Sequence, residues 1–370
     1  MRVGLNAHLL PHGATYRSAG VAMYIKQLVS RLPSVDPENE YVIFAPPNTT
    51  GAGVVPSRWP TSNPLVRILW EQTAESGTAR RKHIDVLHAT VNISPLLLAP
   101  PTVVTIHDLA FLKFPEAFRR PKQVYLRTLV GASIRKAAAI ITPSAATRQD
   151  IVETYGVSPE RVEVIHHGVD EHYRFDPELP RPFEPPFILC VGTIEPRKNI
   201  PVLLQAFAEL KTMGYPQKLA LLGAPGWKYD DVYTTIDHLA LSGEVTVRGF
   251  VDDLLPWYNH ADLFVFPSMY EGFGLPPLEA MACGTPVVLS SAGSLREVAG
   301  DAASLVEPSN VGDFLVAMRA VLDDPARRQQ MSQAGMAQAG RFSWNDTARR
   351  TTDVYRVAHE RSRAPDRGRG

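Results

Sequence analysis

Short apolar runs alternate with amphipathic stretches along almost the whole chain, and this alternation predicts strands separated by helices. In the first half the predicted strands are Arg2–Ala7, Tyr41–Phe44, Val86–His88, Val103–Ile106, Ala139–Thr142 and Val162–Ile165. In the second half they are Phe187–Val191, Leu219–Leu222, Val245–Arg248, Leu263–Phe266, Val287–Leu289 and Ala303–Val306. Between them lie helical patterns such as Ile200–Leu210, where apolar residues return at the spacing of one helix face. Continuous apolar strands interleaved with helices argue for parallel sheets covered on both faces, an α/β fold.

The pattern breaks at Asp176–Pro186, where five prolines make a stiff, extended segment. Six predicted strands precede it and six follow, so the chain divides into two α/β domains of similar size, 1–176 and 183–345. In such sheets ligands bind outside the carboxyl ends of the strands, and a cleft between two domains is a favoured place for them. After Phe342 a last helical pattern carries Trp344, Ala348, Val354, Tyr355 and Val357, with its helix expected over 346–360. Residues 361–370 lack large apolar side chains and are expected to be disordered.

A length of 370 residues supports two cores, and a formal net charge of zero disfavours a broad basic surface for nucleic acid. Cys190 and Cys283 lie far apart in apolar segments and suggest neither a disulfide framework nor a metal site. No apolar run approaches the ~18 residues of a membrane span. The amino terminus reads as a strand rather than a leader, so a cytoplasmic protein is expected. Arg119, Arg120, Lys122, Arg127, Arg135 and Lys136 flank the apolar Tyr125, Leu126, Leu129, Val130 and Ile134. That pattern suits either peripheral contact with anionic lipid or, the preferred reading, a solvated helix face.

The chemistry concentrates in one loop. After the strand Leu263–Phe266 comes Glu271-Gly272-Phe273-Gly274-Leu275-Pro276-Pro277-Leu278-Glu279, leading into a helix whose first turn accepts proline. Backbone N–H groups at a helix start can hold an anion or a row of hydroxyls, and glycines allow close approach. Read alone, Glu271 is as well explained by helix capping, and Glu279 by a solvated position favoured by the helix dipole. A second group, Gly192 followed by Arg197-Lys198, ends the strand Phe187–Val191. His107-Asp108 ends Val103–Ile106, and Gly20 opens the helical pattern Met23–Leu32 after the loop Leu10–Ala19. His8, His12, His88, His166 and His167 read as structural. Gly272-Phe273-Gly274 lacks the third glycine of a dinucleotide fingerprint, and Asp230-Asp231 and Asp252-Asp253 make no convincing metal site, so no cofactor or metal is expected.

The block from Glu271 to Val288, with Val191–Asn199 before it, resembles the signature of the retaining glycosyltransferases of family 4. The resemblance implies the GT-B fold, two Rossmann-like domains facing across a cleft, and transfer of a hexose from a nucleotide-diphosphate sugar to a glycan or lipid-linked acceptor without metal. It further implies that Glu279 accepts hydrogen bonds from the ribose hydroxyls and that Glu271 approaches the transferred sugar. Gly272, Phe273, Gly274 and Leu275 would hold sugar and phosphate oxygens through the backbone, beside Gly192 and Gly20. Lys198 matches the family's diphosphate lysine, while Thr193 stands where an arginine is usual, so Arg197 is expected to supply the second cation. His107 would contact a sugar hydroxyl or orient the acceptor. Members that build surface polysaccharide suggest GDP-mannose as donor, with UDP- and dTDP-linked sugars left open because base selection rests on backbone contacts near Gly249–Leu254. Two other readings, a nucleotide-sugar epimerase and a two-lobed sugar-binding protein, share the architecture.

Overall fold

The structure, a computed structural model, describes residues 1–10, 20–61, 63–97, 99–118 and 120–363. The expected loop Leu10–Ala19 beyond its first residue, His12, Arg119 and the tail from Ala364 lie outside the described residues.

The first sheet contains β1 (Arg2–Asn6), β2 (Glu40–Ala45), β3 (Val54–Pro56), β4 (Val86–Ala89), β5 (Thr102–Thr105), β6 (Ala139–Thr142) and β7 (Val162–Val164). They pair in parallel in the order β3-β2-β1-β4-β5-β6-β7. The second contains β8 (Phe187–Val191), β9 (Lys218–Leu222), β10 (Val245–Arg248), β11 (Leu263–Phe266), β12 (Val287–Ser290) and β13 (Ser304–Val306), again parallel, in the order β10-β9-β8-β11-β12-β13. The strand order reverses beside β1 in the first sheet and beside β8 in the second. An open α/β sheet leaves a crevice at that point, at the carboxyl ends of β1 and β4 and of β8 and β11.

The strand period sorts the second core. Phe187, Leu189 and Val191 of β8 join Phe264 and Phe266 of β11 on one face, under the helices Leu255–His260 and Leu275–Ala282. Ile188 and Cys190 join Leu263 and Val265 on the other, under Ile200–Thr212 and Val311–Leu322. Both faces are therefore apolar, as continuous rather than alternating strand patterns demand. Both cysteines are buried and unbridged.

Four points depart from the sequence reading. β3 was not foreseen: it is three residues long, half-exposed, and sits on the sheet edge. The division of the chain falls at Gly168 and Ser343 rather than at 176 and 345, giving one compact unit of Met1–Gly168 with Trp344–Gly370 and another of Val169–Ser343. The proline-rich run thus lies within the second unit. Val169 N–H donates to the Phe342 carbonyl at 3.1 Å, Tyr173 packs edge-on against Tyr258, and Leu179 and Phe183 pack on the second core. The final helix runs from Trp344 to Arg363, longer at both ends than 346–360, and belongs to the first unit. Residues Arg361–Arg363, expected to be disordered, continue that helix, and Arg361 donates to the carbonyls of Ala138 and Glu160.

Helix Arg120–Lys136 spends its apolar stripe on the first core. Val130 and Ile134 are fully buried, with Tyr125, Leu126 and Leu129 packed beside them, while Lys122, Arg127, Arg135 and Lys136 are exposed. Among the described residues no helix is long and apolar enough to cross a membrane.

Candidate active site

In the second unit, the crevice beside β8 is built by backbones that only glycine permits. Gly192, immediately after β8, has φ 149°, and a Cβ there would lie 3.3 Å from Lys198 Cε. A Cβ on Gly223, after β9, would lie 2.0 Å from the Gly192 carbonyl oxygen. The chain then makes a tight turn over Pro196–Lys198 and ends it at Asn199, whose φ of 57° is unusual for a non-glycine residue. Asn199 holds that conformation by donating to the carbonyls of Pro267 and Pro308, at 3.2 and 2.6 Å.

This turn delivers two cations to one carboxylate. Lys198, only 9% exposed, lies across Gly192 and over the Phe266 ring, with Nζ 2.6 Å from Glu271 Oε1. Arg197 Nη1 is 3.0 Å from Glu271 Oε2 and donates to the Tyr270 carbonyl at 2.7 Å. Arg197 Nε and Nη2 also donate to Glu195 Oε1, at 3.0 and 2.7 Å. Burial alone would raise the Glu271 carboxyl, but Arg197 and Lys198 outweigh it and hold the group at about 2. The loop bearing Glu271 is fixed from behind: Ser294 Oγ donates to the Glu271 and Phe273 carbonyls, and a Cβ on Gly293 would meet the Glu271 carbonyl at 2.9 Å.

Glu279 stands on the helix Leu275–Ala282 that follows the loop. It is half-buried, and the Tyr258 hydroxyl donates to Oε2 at 2.9 Å. Burial is the main cause that pushes its carboxyl up to about 7, with Asp170 adding to the rise and the Tyr258 hydrogen bond opposing it. Pro276 and Pro277 carry no N–H, so they offer no backbone donor in the first turn of this helix. Gly274 has φ 122°, and a Cβ there would crowd Leu295 at 2.9 Å.

In the first unit, His107 follows β5. Its Nε2 lies 2.9 Å from the Thr90 carbonyl, so Nε2 carries the proton and Nδ1 is left as an acceptor. Its backbone N–H donates to Asn92 Oδ1, and burial lowers its pKa. The Asp108 carboxylate accepts from Ala110 N–H at the start of the next turn, and its charge opposes the lowering of His107. Behind His107 lie the Tyr24 ring at 5.1 Å and the His167 ring at 5.8 Å. His88, completely buried, bridges Tyr355 of the last helix to Thr105, which in turn meets the Tyr24 hydroxyl. Gly20 stands exposed at the start of helix Val21–Val35 with φ 55°, and a Cβ there would meet nothing within 4 Å.

Gly192, Arg197, Lys198 and Glu271 are thus brought together in one cluster, with Glu279 on the adjoining helix. His107 and Gly20 belong to the other unit. Glu195 and Tyr258 were not foreseen. An acid two residues before Arg197 was the available signal for the first; nothing in the local sequence marks the second, which reaches Glu279 through the packing of its helix.

The amino half of the chain, residues 18–173, matches the family model described as Glycosyltransferase Family 4, and residues 173–338 match Glycosyl transferases group 1. The chain is 34% identical over 270 residues to the O-antigen chain mannosyltransferase B of Escherichia coli, covering 69% of this chain and 70% of that one. This protein belongs to glycosyltransferase family 4. The family 4 glycosyltransferase is also 28% identical over 395 residues to D-inositol 3-phosphate glycosyltransferase 1 of Catenulispora acidiphila, covering 97% of this chain and 92% of that one. The GT-B fold is shared with solved structures. Sucrose-phosphate synthase of Thermosynechococcus elongatus superposes with a TM-score of 0.78 at 21% identity over 96% of this chain and 98% of that one. Anabaena HepE, in complex with UDP and glucose, superposes with a TM-score of 0.74 at 20% identity over 96% and 99%. Membership of this glycosyltransferase family sets aside the epimerase and the sugar-binding protein.

Proposed function

We propose that this glycosyltransferase moves mannose from GDP-mannose to a hydroxyl of a growing glycan or lipid-linked acceptor, with retention at the anomeric carbon and without a metal. The observation that carries the reading is the buried Lys198–Glu271–Arg197 cluster at the carboxyl ends of β8 and β11. A lysine there meets the charge of a leaving diphosphate, and a carboxylate held ionised accepts hydrogen bonds from sugar hydroxyls. Glu279 offers two oxygens to the vicinal diol of a ribose. His107, in the first unit, offers Nδ1 as an acceptor for a substrate hydroxyl. The likeness to an O-antigen mannosyltransferase and to WbdA, a serotype-specific mannosyltransferase of Escherichia coli that is 33% identical over 72% of this chain, favours mannose. This chain spans 35% of that longer WbdA protein.

In the proposed reaction the bond from the anomeric carbon to the diphosphate oxygen breaks, and the acceptor oxygen bonds to the same face of that carbon. The acceptor proton passes to the departing phosphate oxygen. No side chain is needed as nucleophile, so the barrier falls through positioning and through charge stabilisation by Lys198. The reading takes the enzyme to be cytoplasmic.

A thermal-shift panel of GDP-, UDP- and dTDP-sugars tests the donor. A ligand at a hundred times its Kd stabilises the fold by about 2.7 kcal/mol. GDP-mannose is expected to give the largest shift, and an anomeric proton signal of the product matching that of the donor would establish retention. A larger shift with a UDP- or dTDP-sugar would overturn the choice of donor, and full loss of turnover in EDTA would overturn metal independence.

A further inference from the structure

The two cations after β8 are held very differently. Lys198 has one carboxylate partner, Glu271 Oε1, and its flexible stem lies over Gly192 and Phe266. Arg197 is gripped along its whole guanidinium edge: Nε and Nη2 by Glu195 Oε1, and Nη1 by the Tyr270 carbonyl and Glu271 Oε2. Its own backbone carbonyl accepts from Met269 N–H at 2.9 Å, lacing this turn to the loop that carries Glu271.

Charge decides which of the two can change partners. Arg197 and Lys198 pair with Glu195 and Glu271, so a cation that turns to a diphosphate here leaves one of these carboxylates. Withdrawing Arg197 would leave Glu195 and Glu271, whose side chains are 24% and 11% exposed, sharing one lysine. Buried charges lose several kcal/mol when a partner goes. Withdrawing Lys198 leaves every carboxylate paired and uncovers only Glu271 Oε1. Arginine also matches this setting chemically, since its planar fork satisfies several acceptors at once where an ammonium would act as a point charge.

We infer that Arg197 is a positioning residue for Glu271 rather than a diphosphate cation, and that Glu195 holds Arg197 in place. Lys198 alone turns to the diphosphate. Glu271 then keeps Oε2 on Arg197 and presents Oε1 to the transferred sugar. This assignment rests on the glycosyl-transfer reading and goes beyond it by giving the two cations, and the two oxygens of one carboxylate, separate tasks.

The test compares Arg197→Lys, Glu195→Gln and the double variant with the unaltered chain, measuring kcat and donor KM by product formation. Calorimetry measures Kd for GDP, UDP and dTDP, which contain the diphosphate but no transferred sugar. Arg197→Lys keeps the positive charge and loses the fork, so a positioning role predicts a fall in kcat of about tenfold or more, as expected when a reacting group is misplaced by about 1 Å. The Kd for the nucleoside diphosphate stays within about twofold, because the interaction lost is not one the diphosphate uses. Glu195→Gln lowers kcat in the same direction, and the double variant is no worse than Arg197→Lys alone, since the first change acts through the second. Rescue of kcat by lysine at 197, or a weakening of nucleoside diphosphate binding by about tenfold with kcat unaffected in Glu195→Gln, would overturn the inference. If the unaltered chain binds none of GDP, UDP and dTDP, the transferase reading itself fails, which calorimetry on that chain shows before any variant is compared. Thermal unfolding of each variant separates misfolding from misplacement, and Glu195→Gln, the more exposed site, remains decisive if Arg197→Lys does not fold.

Discussion

Glu279 and Glu271 are chemically the same side chain with opposite acid–base behaviour, and the difference lies in their neighbours. Glu271 has two cations and stays ionised far below neutrality, while Glu279 has a neutral tyrosine and titrates at about 7. A ribose diol donates two hydrogen bonds to a carboxylate but fewer to a carboxylic acid. As pH falls through about 7, Glu279 gains its proton and donor binding weakens; donor KM is therefore expected to rise from pH 8 to pH 6. Glu279→Gln should give a weaker but flat KM over that range. A KM in the unaltered enzyme that does not vary with pH would remove Glu279 from the nucleotide site. Tyr258→Phe deletes the hydrogen bond that favours the charged form. It is expected to raise donor KM about tenfold, in keeping with about 1.5 kcal/mol for a hydrogen bond to a charged group, and to move the inflection to higher pH. A purely structural role for Tyr258 would change stability without moving the inflection.

At the scale of elements, strand ends and turns decide whether these side chains meet. Gly223→Ala would force a Cβ to within 2.0 Å of the Gly192 carbonyl oxygen, where two backbones touch and neither has a flexible end to yield. A loss of about 2 kcal/mol or more is expected, with donor binding lost together with Gly192. Gly312→Ala, inside the helix Val311–Leu322 and with only ordinary contacts around it, should be neutral or stabilise by about 0.5 kcal/mol. Comparable melting temperatures for the two would count against the strand-end argument. The helix Arg120–Lys136 turns Val130 and Ile134 into the core and leaves only Val124 as an exposed large apolar side chain, so co-flotation with anionic vesicles is not expected. The strands of both sheets were readable because continuous apolar runs such as Phe187–Val191 are what burial on both faces requires. The short edge strand Val54–Pro56 escaped because its half-exposed residues carry no such run. The unit boundary escaped because proline stiffness says nothing about what a segment packs on, and Phe183 packs on Phe187 and Trp257. The carboxylates and cations of the site were readable as a motif. Glu195 and Tyr258, which set what those groups do, depend on contacts that arise only once the chain has folded.

At the scale of the whole molecule, the two units store their buried charges differently, and this gives them different responses to acid. In the first unit burial keeps His88 neutral, lowering it to about 3, and His8, lowered to about 4; His107 and His167 are also lowered, chiefly by burial. Against these stand Glu71, raised by burial to about 7, and Glu75, raised well above its usual value. Each lowered histidine takes up its proton first in the unfolded chain, so it removes stability as pH falls below about 6.5. Each raised carboxylate takes up its proton first in the folded chain, so it adds stability over the same fall, down to its unfolded value near 4.5. Among the described residues of the first unit four lowered histidines stand against two raised carboxylates, so the unfolded chain binds the larger number of protons between pH 6.5 and 5. In the second unit Glu279 acts in the opposite sense across that window, and Glu271 costs stability only as pH falls from about 4.5 toward 2. The first unit should therefore lose about 1.4 kcal/mol per pH unit for each net proton, while the second holds. Hydrogen exchange, corrected for intrinsic rate, is expected to show β1, β4 and β5 losing protection between pH 7 and pH 5 before β8 and β11 do. Equal loss in both sheets, or earlier loss in the second, would mean that the buried histidines of the first unit do not govern its acid stability.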